Sequence, residues 1–396
     1  MNKKEIPSKE PIGLLLVIAL AQLLALTVWF SATAVAPTLR DNWNLNLGQV
    51  SALTTTVQIG FVVGALGMAI LNIADLVKSR ILFCASGLTA AAANTVPTFL
   101  SGDDFTAVLA LRFLTGVCLA GVYPSGLKVM AGWFRKGRGM AMGVLVGALT
   151  VGSAVPHLIK GFGLDWRVVL WVSSALCVFA SLLMLRVGDG PFETKGAKFS
   201  FRLIARVVSN RGFRSATAGY LGHMWELYAM WTWLAAWLSA RLVATSGGNS
   251  TVIPSLTFAI IACGGIGSWL AGVWADRFGR PLVAGASMVI SGSCALVTPL
   301  LFLAPAWVAI PILILWGLTI VADSAQFSAI VTETVDEALR GTALTLQAAL
   351  GFSLTLASIR ITSYMASTYG WQWAFPVLAI GPLVGVVAMT RVPKQA

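Results

Sequence analysis

The chain has 396 residues, of which 57% are hydrophobic and only 11% charged, and its mean hydropathy is +0.84. A water-soluble domain carries roughly 25% charged residues, so the composition excludes a large soluble catalytic domain. Its apolar residues run in long continuous stretches, which also excludes an outer-membrane barrel built from strands of about 10 alternating residues. The net charge of +12 fits either nucleic acid or a membrane topology signal until the charges are placed.

Twelve apolar stretches follow one another, at 11–36, 48–73, 80–100, 105–131, 138–160, 166–186, 214–240, 252–275, 281–303, 306–330, 341–366 and 371–391. Each reaches the length of about 20 residues that a helix needs to cross a bilayer. The expected fold class is an all-α polytopic membrane protein with twelve transmembrane helices. No small-residue cleavage site follows Met1-Asn2-Lys3-Lys4, so the first stretch is read as a retained span. Connections are short except over 187–213, a polar and basic stretch that divides the spans six and six. The expected domains are therefore an N-terminal six-helix bundle (1–186), a basic cytoplasmic linker (187–213) and a C-terminal six-helix bundle (214–396).

Internal repetition supports this division. Asp75 in Ile73-Ala74-Asp75-Leu76 matches Asp276 in Trp274-Ala275-Asp276-Arg277; Arg138-Gly139 matches Arg340-Gly341; and Gly163-Leu164-Asp165-Trp166 matches Gly370-Trp371-Gln372-Trp373. The pairs occur in order and at nearly constant spacing. Duplicated halves related by an axis along the membrane normal are a transporter architecture with solute held between the halves.

With the N-terminus cytoplasmic, the basic residues gather on that side. The chief ones are Lys3, Lys4, Lys9, Lys78, Arg80, the Arg135-Lys136-Arg138 cluster and the 187–213 stretch. On the other side Arg40, Lys160, Arg167 and Arg241 balance Asp41, Asp103, Asp104 and Asp165, and within the spans Arg112 and Arg360 balance Glu226 and Asp323. The whole excess charge is then a topology signal. Nucleic acid falls away as a partner, and both termini are expected in the cytoplasm of a plasma (inner) membrane protein.

The five cysteines, Cys84, Cys118, Cys177, Cys263 and Cys294, sit in apolar stretches without Cys-x-x-Cys spacing, and the chain has two histidines. That pattern predicts no metal site, no disulfide framework and no cofactor. A membrane-embedded enzyme would need a metal or nucleophile cluster, and none is visible. No Walker phosphate loop is present, which speaks against ATP-driven pumping.

Gly272-Val273-Trp274-Ala275-Asp276-Arg277-Phe278-Gly279-Arg280 follows the pattern Gly-x-x-x-Asp-Arg-x-Gly-Arg between the eighth and ninth stretches. A degraded copy between the second and third keeps Asp75 and Arg80, with Leu71 and Lys78 at the two glycine positions. Arg112-x-x-x-Gly116 lies in the fourth stretch. On these residues the chain resembles the major facilitator superfamily, and the resemblance covers essentially its whole length. The region Gly121-Val122-Tyr123-Pro124-Ser125-Gly126-Leu127-Lys128, followed by Trp133-Phe134, resembles loosely the organic-anion and organophosphate branches of that family. The resemblance implies a carrier working as a functional monomer, in contact with a small-molecule substrate, membrane lipids and a coupling ion, and a conformational latch formed by Asp75, Arg80, Gly272, Asp276, Arg277, Gly279 and Arg280. Physically, the glycine lets two helices approach, Asp276 faces a helix N-terminus and the arginines reach lipid phosphates.

Ionisable residues within spans are expensive and mark function. Glu226, near the middle of the seventh stretch, has His223 one turn away on the same face; a carboxyl in such a site can take up and release a proton. The alternative is a structural carboxylate satisfied by His223 or an arginine. Asp323 in the tenth stretch is the second acid, expected nearer the cytoplasmic end. Proton coupling is thus assigned to Glu226, His223 and Asp323. Arg112 and Arg360 are forks suited to an anion, or partners for the buried acids. Lys128 reads as an anion contact or a snorkelling side chain. Gln22, Thr54, Gln58, Asn94, Tyr123, Gln326 and Gln347 are polar candidates for the substrate path, and Trp29, Trp225, Trp231 and Trp233 for stacking on a planar solute, with packing or a membrane-interface belt as the alternative for each tryptophan. The glycines of the fifth stretch, Gly143, Gly147 and Gly152, precede Pro156 without the glycine-proline pair of an exchanger motif. Asn249-Ser250-Thr251 matches a glycosylation acceptor. The expected function is secondary active transport of a small organic solute, anionic or planar aromatic, coupled to protons. An efflux antiporter of the same fold and a non-transporting receptor are the alternatives.

Overall fold

A computed structural model describes residues 12–134, 138–188, 190–192, 200–246, 252–336 and 339–393. Among the described residues every regular element is helical. Ten helices are long and apolar enough to cross a membrane: Leu47–Ile70 (span 2), Ser79–Phe99 (span 3), Gly102–Trp133 (span 4), Met140–Gly161 (span 5), Trp166–Leu185 (span 6), Val252–Phe278 (span 8), Arg280–Leu303 (span 9), Ala306–Thr334 (span 10), Arg340–Tyr369 (span 11) and Trp371–Met389 (span 12). The shorter Ile12–Val28 (span 1) and the long helix Arg211–Ser246 (span 7) complete twelve. The lysines at 3, 4 and 9, the basic pair at 135–136 and the Asn249-Ser250-Thr251 triplet lie outside the described residues.

Local chemistry sets the boundaries. Span 2 starts at a reciprocal capping box, in which Asn46 Oδ1 accepts from Gln49 N and Gln49 Oε1 accepts from Asn46 N, both at 2.9 Å, satisfying otherwise orphaned amides. Asp165 Oδ1 accepts from Arg167 N at 2.8 Å at the head of span 6. The turns before spans 6 and 12 use the repeated glycines: Gly163 has φ +74° and Gly370 φ +87°, conformations an L side chain avoids.

Four spans are interrupted where the apolar pattern predicts continuous helices; in span 12 the 3-10 turns Trp371–Trp373 and Pro376–Ala379, parted at Ala374 and Phe375, precede the α-helix Ile380–Met389. Span 1 tightens at Leu26–Val28 and breaks at Trp29 and Phe30 before the short helices Ser31–Ala34 and Ala36–Trp43. There the hydroxyls of Thr27 and Ser31 reach the carbonyls of Leu24 (2.8 Å) and Val28 (3.1 Å), in competition with the helix ladder. Span 8 breaks at Cys263, between helices Val252–Ala262 and Gly264–Phe278. Span 10 breaks at Ile320–Asp323, between Ala306–Thr319 and Ser324–Thr334. Within 187–213, the helix Ile204–Ser209 docks through buried Val207 into a cluster with Phe213, Phe327, Ile330 and Val331.

Packing repeats between the halves. In the first six spans the large contacts are 2 on 4, 3 on 4, 3 on 6, 1 on 6 and 1 on 5; in the last six they are 8 on 10, 9 on 10, 9 on 12, 7 on 12 and 7 on 11. Each has its counterpart six spans on. Two seams join the halves, span 5 on span 8 and span 11 on span 2, and they exchange under the same relation. The span 5 glycines form the first seam: Gly143 and Gly147 abut the backbones of Ser268 and Gly265, and Ser268 Oγ donates to Gly143 O at 3.3 Å.

Gly116 explains its place in the Arg112 motif. A Cβ there would strike the Val57 carbonyl, and one on Gly60 would strike that of Phe113, so the two glycines permit a backbone-to-backbone crossing of spans 2 and 4. Gly116→Leu is expected to destabilise the protein by about 1–3 kcal/mol through overpacking, measured as a fall in the melting temperature of purified protein in detergent. An unchanged melting temperature contradicts this account of the crossing.

Candidate functional site

The break in span 1 frees carbonyls at membrane depth, and such groups need donors because lipid supplies none. Arg112 supplies them. Its side chain is 1% exposed; Nη2 donates to Trp29 O (2.6 Å), and Nη1 to Val28 O (3.2 Å) and to Asn94 Oδ1 (2.9 Å). Asn94 in turn accepts from Ser31 Oγ (2.6 Å) and donates to Ser174 Oγ (3.0 Å) and Leu170 O (3.2 Å). One guanidinium and one amide thereby tie together spans 1, 3, 4 and 6. Arg112 pairs with neither buried acid, and its fork is occupied by the protein's own carbonyls.

The same break turns Trp29 and Phe30 toward the second half. The Trp29 ring lies 5.1 Å from Phe61 of span 2, 5.9 Å from Tyr228 of span 7 and 5.7 Å from Phe352 of span 11. Phe30 stacks on Tyr228 at 6.0 Å and meets Trp231 edge-on at 5.7 Å, and Phe61 meets Phe352 at 4.3 Å. This cluster bridges the halves at mid-depth. Buried polar atoms without a hydrogen-bond partner occur on the same spans: both amide atoms of Gln58, one turn from Phe61; the Gln347 Nε2; and the indole nitrogens of Trp29 and Trp231. Each unsatisfied buried group costs about 1–3 kcal/mol, a cost that a bound polar solute can relieve.

In the second half Glu226 is 2% exposed. Its Oε1 accepts from Trp316 Nε1 of span 10 (2.6 Å) and its Oε2 from Ser291 Oγ of span 9 (2.9 Å). Both donors are neutral, and Glu226 has no ion pair among the described residues. His223 does not satisfy Glu226, contrary to the spacing on span 7. Its Nδ1 lies 2.8 Å from Asp323 Oδ1 of span 10, while its Nε2 lacks a partner and its ring sits between Tyr220 and Phe327. Asp323 is placed at the break in span 10, 2% exposed, and not at an interfacial loop. The sequence signal for this pairing was absent because the partner lies on another span.

The loop motif of the second half is assembled. Gly279 ends span 8 with φ +91°. Arg280 Nε donates to Glu333 Oε1 at 2.6 Å and Nη1 to Gln326 Oε1 at 3.3 Å, with Asp276 Oδ1 at 4.0 Å from Nη2. Gln326 thus serves this network, and Glu333 is a member that the motif does not contain. Gly272 is buried, and the Arg277 guanidinium lies 5.3 Å from the Phe278 ring. In the first half the turn is built differently, with Asn72 at φ +56°; Arg80 donates to Val187 O at 3.4 Å. The Asp75 side chain lies outside the described residues.

Other candidates are dispersed. Trp225 Nε1 donates to Val377 O of span 12 at 3.1 Å, away from the aromatic cluster. Gln22, fully buried with both amide atoms unpartnered, abuts Gly126 of span 4. Tyr123 is half-buried on span 4. Lys128 shares a small crevice with Ser79 and Arg80 at the end of span 4. Arg360 is exposed on span 11. Ser291, Trp316 and Glu333 carry no signal in the sequence, being ordinary residues until the fold brings acids or an arginine to them. His157 on span 5 is likewise unmarked by any motif, buried beside Pro156 with Nε2 unpartnered.

Comparison with known proteins gives a consistent pattern. The family model described as Major Facilitator Superfamily matches residues 18–256. The chain is 24% identical over 214 residues to the MFS-type transporter pytF of Aspergillus terreus, covering 52% of this chain and 69% of that protein. Its fold is similar to that of the nucleoside transporter NupG (TM-score 0.70, 15% identity, 96% of this chain and 100% of the other). It is also similar to the E. coli fucose:proton symporter FucP (TM-score 0.68, 13% identity, 97% and 99%).

Arg112→Gln is expected to lower stability by about 1–3 kcal/mol or more, because the Val28 and Trp29 carbonyls lose charge-assisted donors. Thermal unfolding in detergent measures this. A variant with the wild-type melting temperature but no solute binding would mean that the guanidinium is a ligand contact instead.

Proposed function

Because the chain belongs to the major facilitator superfamily, we propose that it is a secondary active transporter that moves a small organic solute by alternating access, with the proton as coupling ion. The observation that carries this reading is Glu226, a fully buried carboxyl held by two neutral donors and no cation. Such a group is costly in a membrane, and it can change protonation state as the halves move. The His223 and Asp323 pair supplies a second buried site for a proton on the same pair of spans.

The solute is proposed to be a neutral or weakly polar planar molecule rather than an anion. The aromatic cluster offers stacking surfaces, and Gln58, Gln347 and the indoles of Trp29 and Trp231 offer hydrogen bonds. Among the described residues no unoccupied cation accompanies them, since Arg112 is held by the Val28 and Trp29 carbonyls and by Asn94. Nucleosides, named for one structural neighbour, are the first probes, and fucose, named for the other, is the non-planar comparison. We place the division between the bundles in 187–213, both termini in the cytoplasm of a plasma (inner) membrane protein, and the working unit as a monomer. Asp276, Arg280 and Glu333 are assigned to a latch that holds one conformation closed.

The test uses the probe that most raises the melting temperature, in liposomes under a pH gradient. Glu226→Gln should reduce gradient-driven uptake at least tenfold while counterflow exchange persists; wild-type gradient-driven uptake in this variant would falsify the proton role. Asp276→Asn should slow turnover severalfold with solute binding retained, and loss of binding in a well-folded variant contradicts the latch.

A further inference from the structure

We infer that the groove between the start of span 7 and the end of span 12 is a binding site for an anionic phospholipid, with its phosphate on three arginines and an acyl chain along the groove wall. The groove has a volume of about 500 Å³. Arg211 and Arg214 stand exposed on the first turn of span 7, and Arg391 stands exposed just past span 12. Below Arg391, one to two helical turns into the membrane, Leu383, Val384 and Val387 are exposed on the same groove at 68%, 52% and 46%.

Charge and shape select the occupant. None of the three arginines has an ion pair with a described residue, whereas nearby Arg206 is paired with Asp336 at 3.4 Å. Ser215 Oγ donates to the Arg391 carbonyl at 3.2 Å, holding the two helix ends, and so the guanidinium groups, side by side. Guanidinium forks match phosphate oxygens, and a basic pocket between helices at a membrane interface suits an acidic headgroup. The exposed apolar wall continues from the charges toward the hydrocarbon. A free anion would leave that wall unused, whereas a phospholipid fills both parts. The site is remote from Glu226 and the aromatic cluster and does not rest on the transport reading.

The experiment is native mass spectrometry of the full chain in detergent, titrated with phosphatidylglycerol, with phosphatidylcholine, or with inorganic phosphate. At about fivefold per basic residue near the surface, the variant carrying Arg211→Gln, Arg214→Gln and Arg391→Gln should bind phosphatidylglycerol on the order of a hundredfold more weakly than wild type. Arg391→Gln alone, at a helix end, should cost about fivefold and serves if the triple variant is not monodisperse. Arg40→Gln with Lys160→Gln, on the opposite face, should leave binding unchanged. Wild-type affinity in the arginine variants, equal binding of phosphatidylcholine, or inorganic phosphate binding as tightly as the lipid would each overturn the assignment.

Discussion

The fold hangs on one exchange of hydrogen bonds, from a broken helix to a buried arginine. Unwinding span 1 at Trp29 leaves peptide carbonyls in a region without water, which membrane proteins tolerate only where protein donors replace the ladder. Arg112 and Asn94 provide those donors, and Gly116 lets span 4 come close enough to span 2 for the arginine to reach. The pieces are mutually dependent. Without the break, Trp29 and Phe30 would not both face the second half; without Arg112, the break would leave uncompensated polar groups.

The second consequence is a division of labour between two halves of the same architecture. Their packing contacts correspond span for span, and even the glycine turns Gly163 and Gly370 repeat. Their buried charges do not. In the first half the intramembrane cation is consumed by backbone and amide acceptors. The second half adds two acids, one on neutral donors and one beside an imidazole, while its own buried cation, Arg241 near the end of span 7, is likewise held by backbone carbonyls, those of Leu301 and Ala304. The carboxyls proposed to exchange a proton therefore lie, among the described residues, in the second bundle. The halves touch along the glycine seam of spans 5 and 8 and the aromatic contact of spans 2 and 11, where small residues and rings give close packing without fixed ion pairs.

Much of this was legible in the sequence. Composition and apolar runs place the spans to within a few residues, and the Asp276 to Arg280 motif marks its loop, because both signals are local. The breaks in spans 1, 8 and 10 were not legible, because leucine, threonine, valine and cysteine satisfy a hydropathy pattern whether or not the helix continues. Partners across spans were not legible either. The i, i+3 spacing paired His223 with Glu226, yet the fold offers Trp316 and Ser291 to the acid and Asp323 to the histidine. Similarly, Arg112 read as a possible anion site because a sequence does not reveal which carbonyls a neighbouring helix has released.

The half-helix Ser324–Thr334 connects the buried chemistry to the membrane surface. Asp323 at its head touches His223 of span 7. Gln326, one turn on, and Glu333, near its end, both accept from Arg280 at the start of span 9. These positions recur at helical spacing, so they share one face of a single rigid segment. The break at Ile320–Asp323 separates that segment from the upper part of span 10, which carries Trp316 and through it Glu226. On the proposed reading, a change in charge at the His223 and Asp323 pair acts on a piece of helix that is separated from its upper half yet joined to the loop motif. The hydrogen bond from Trp316 to Glu226 and those from Gln326 and Glu333 to Arg280 thus belong to two halves of one interrupted span, which on the proposed reading gives protonation and closure a common element.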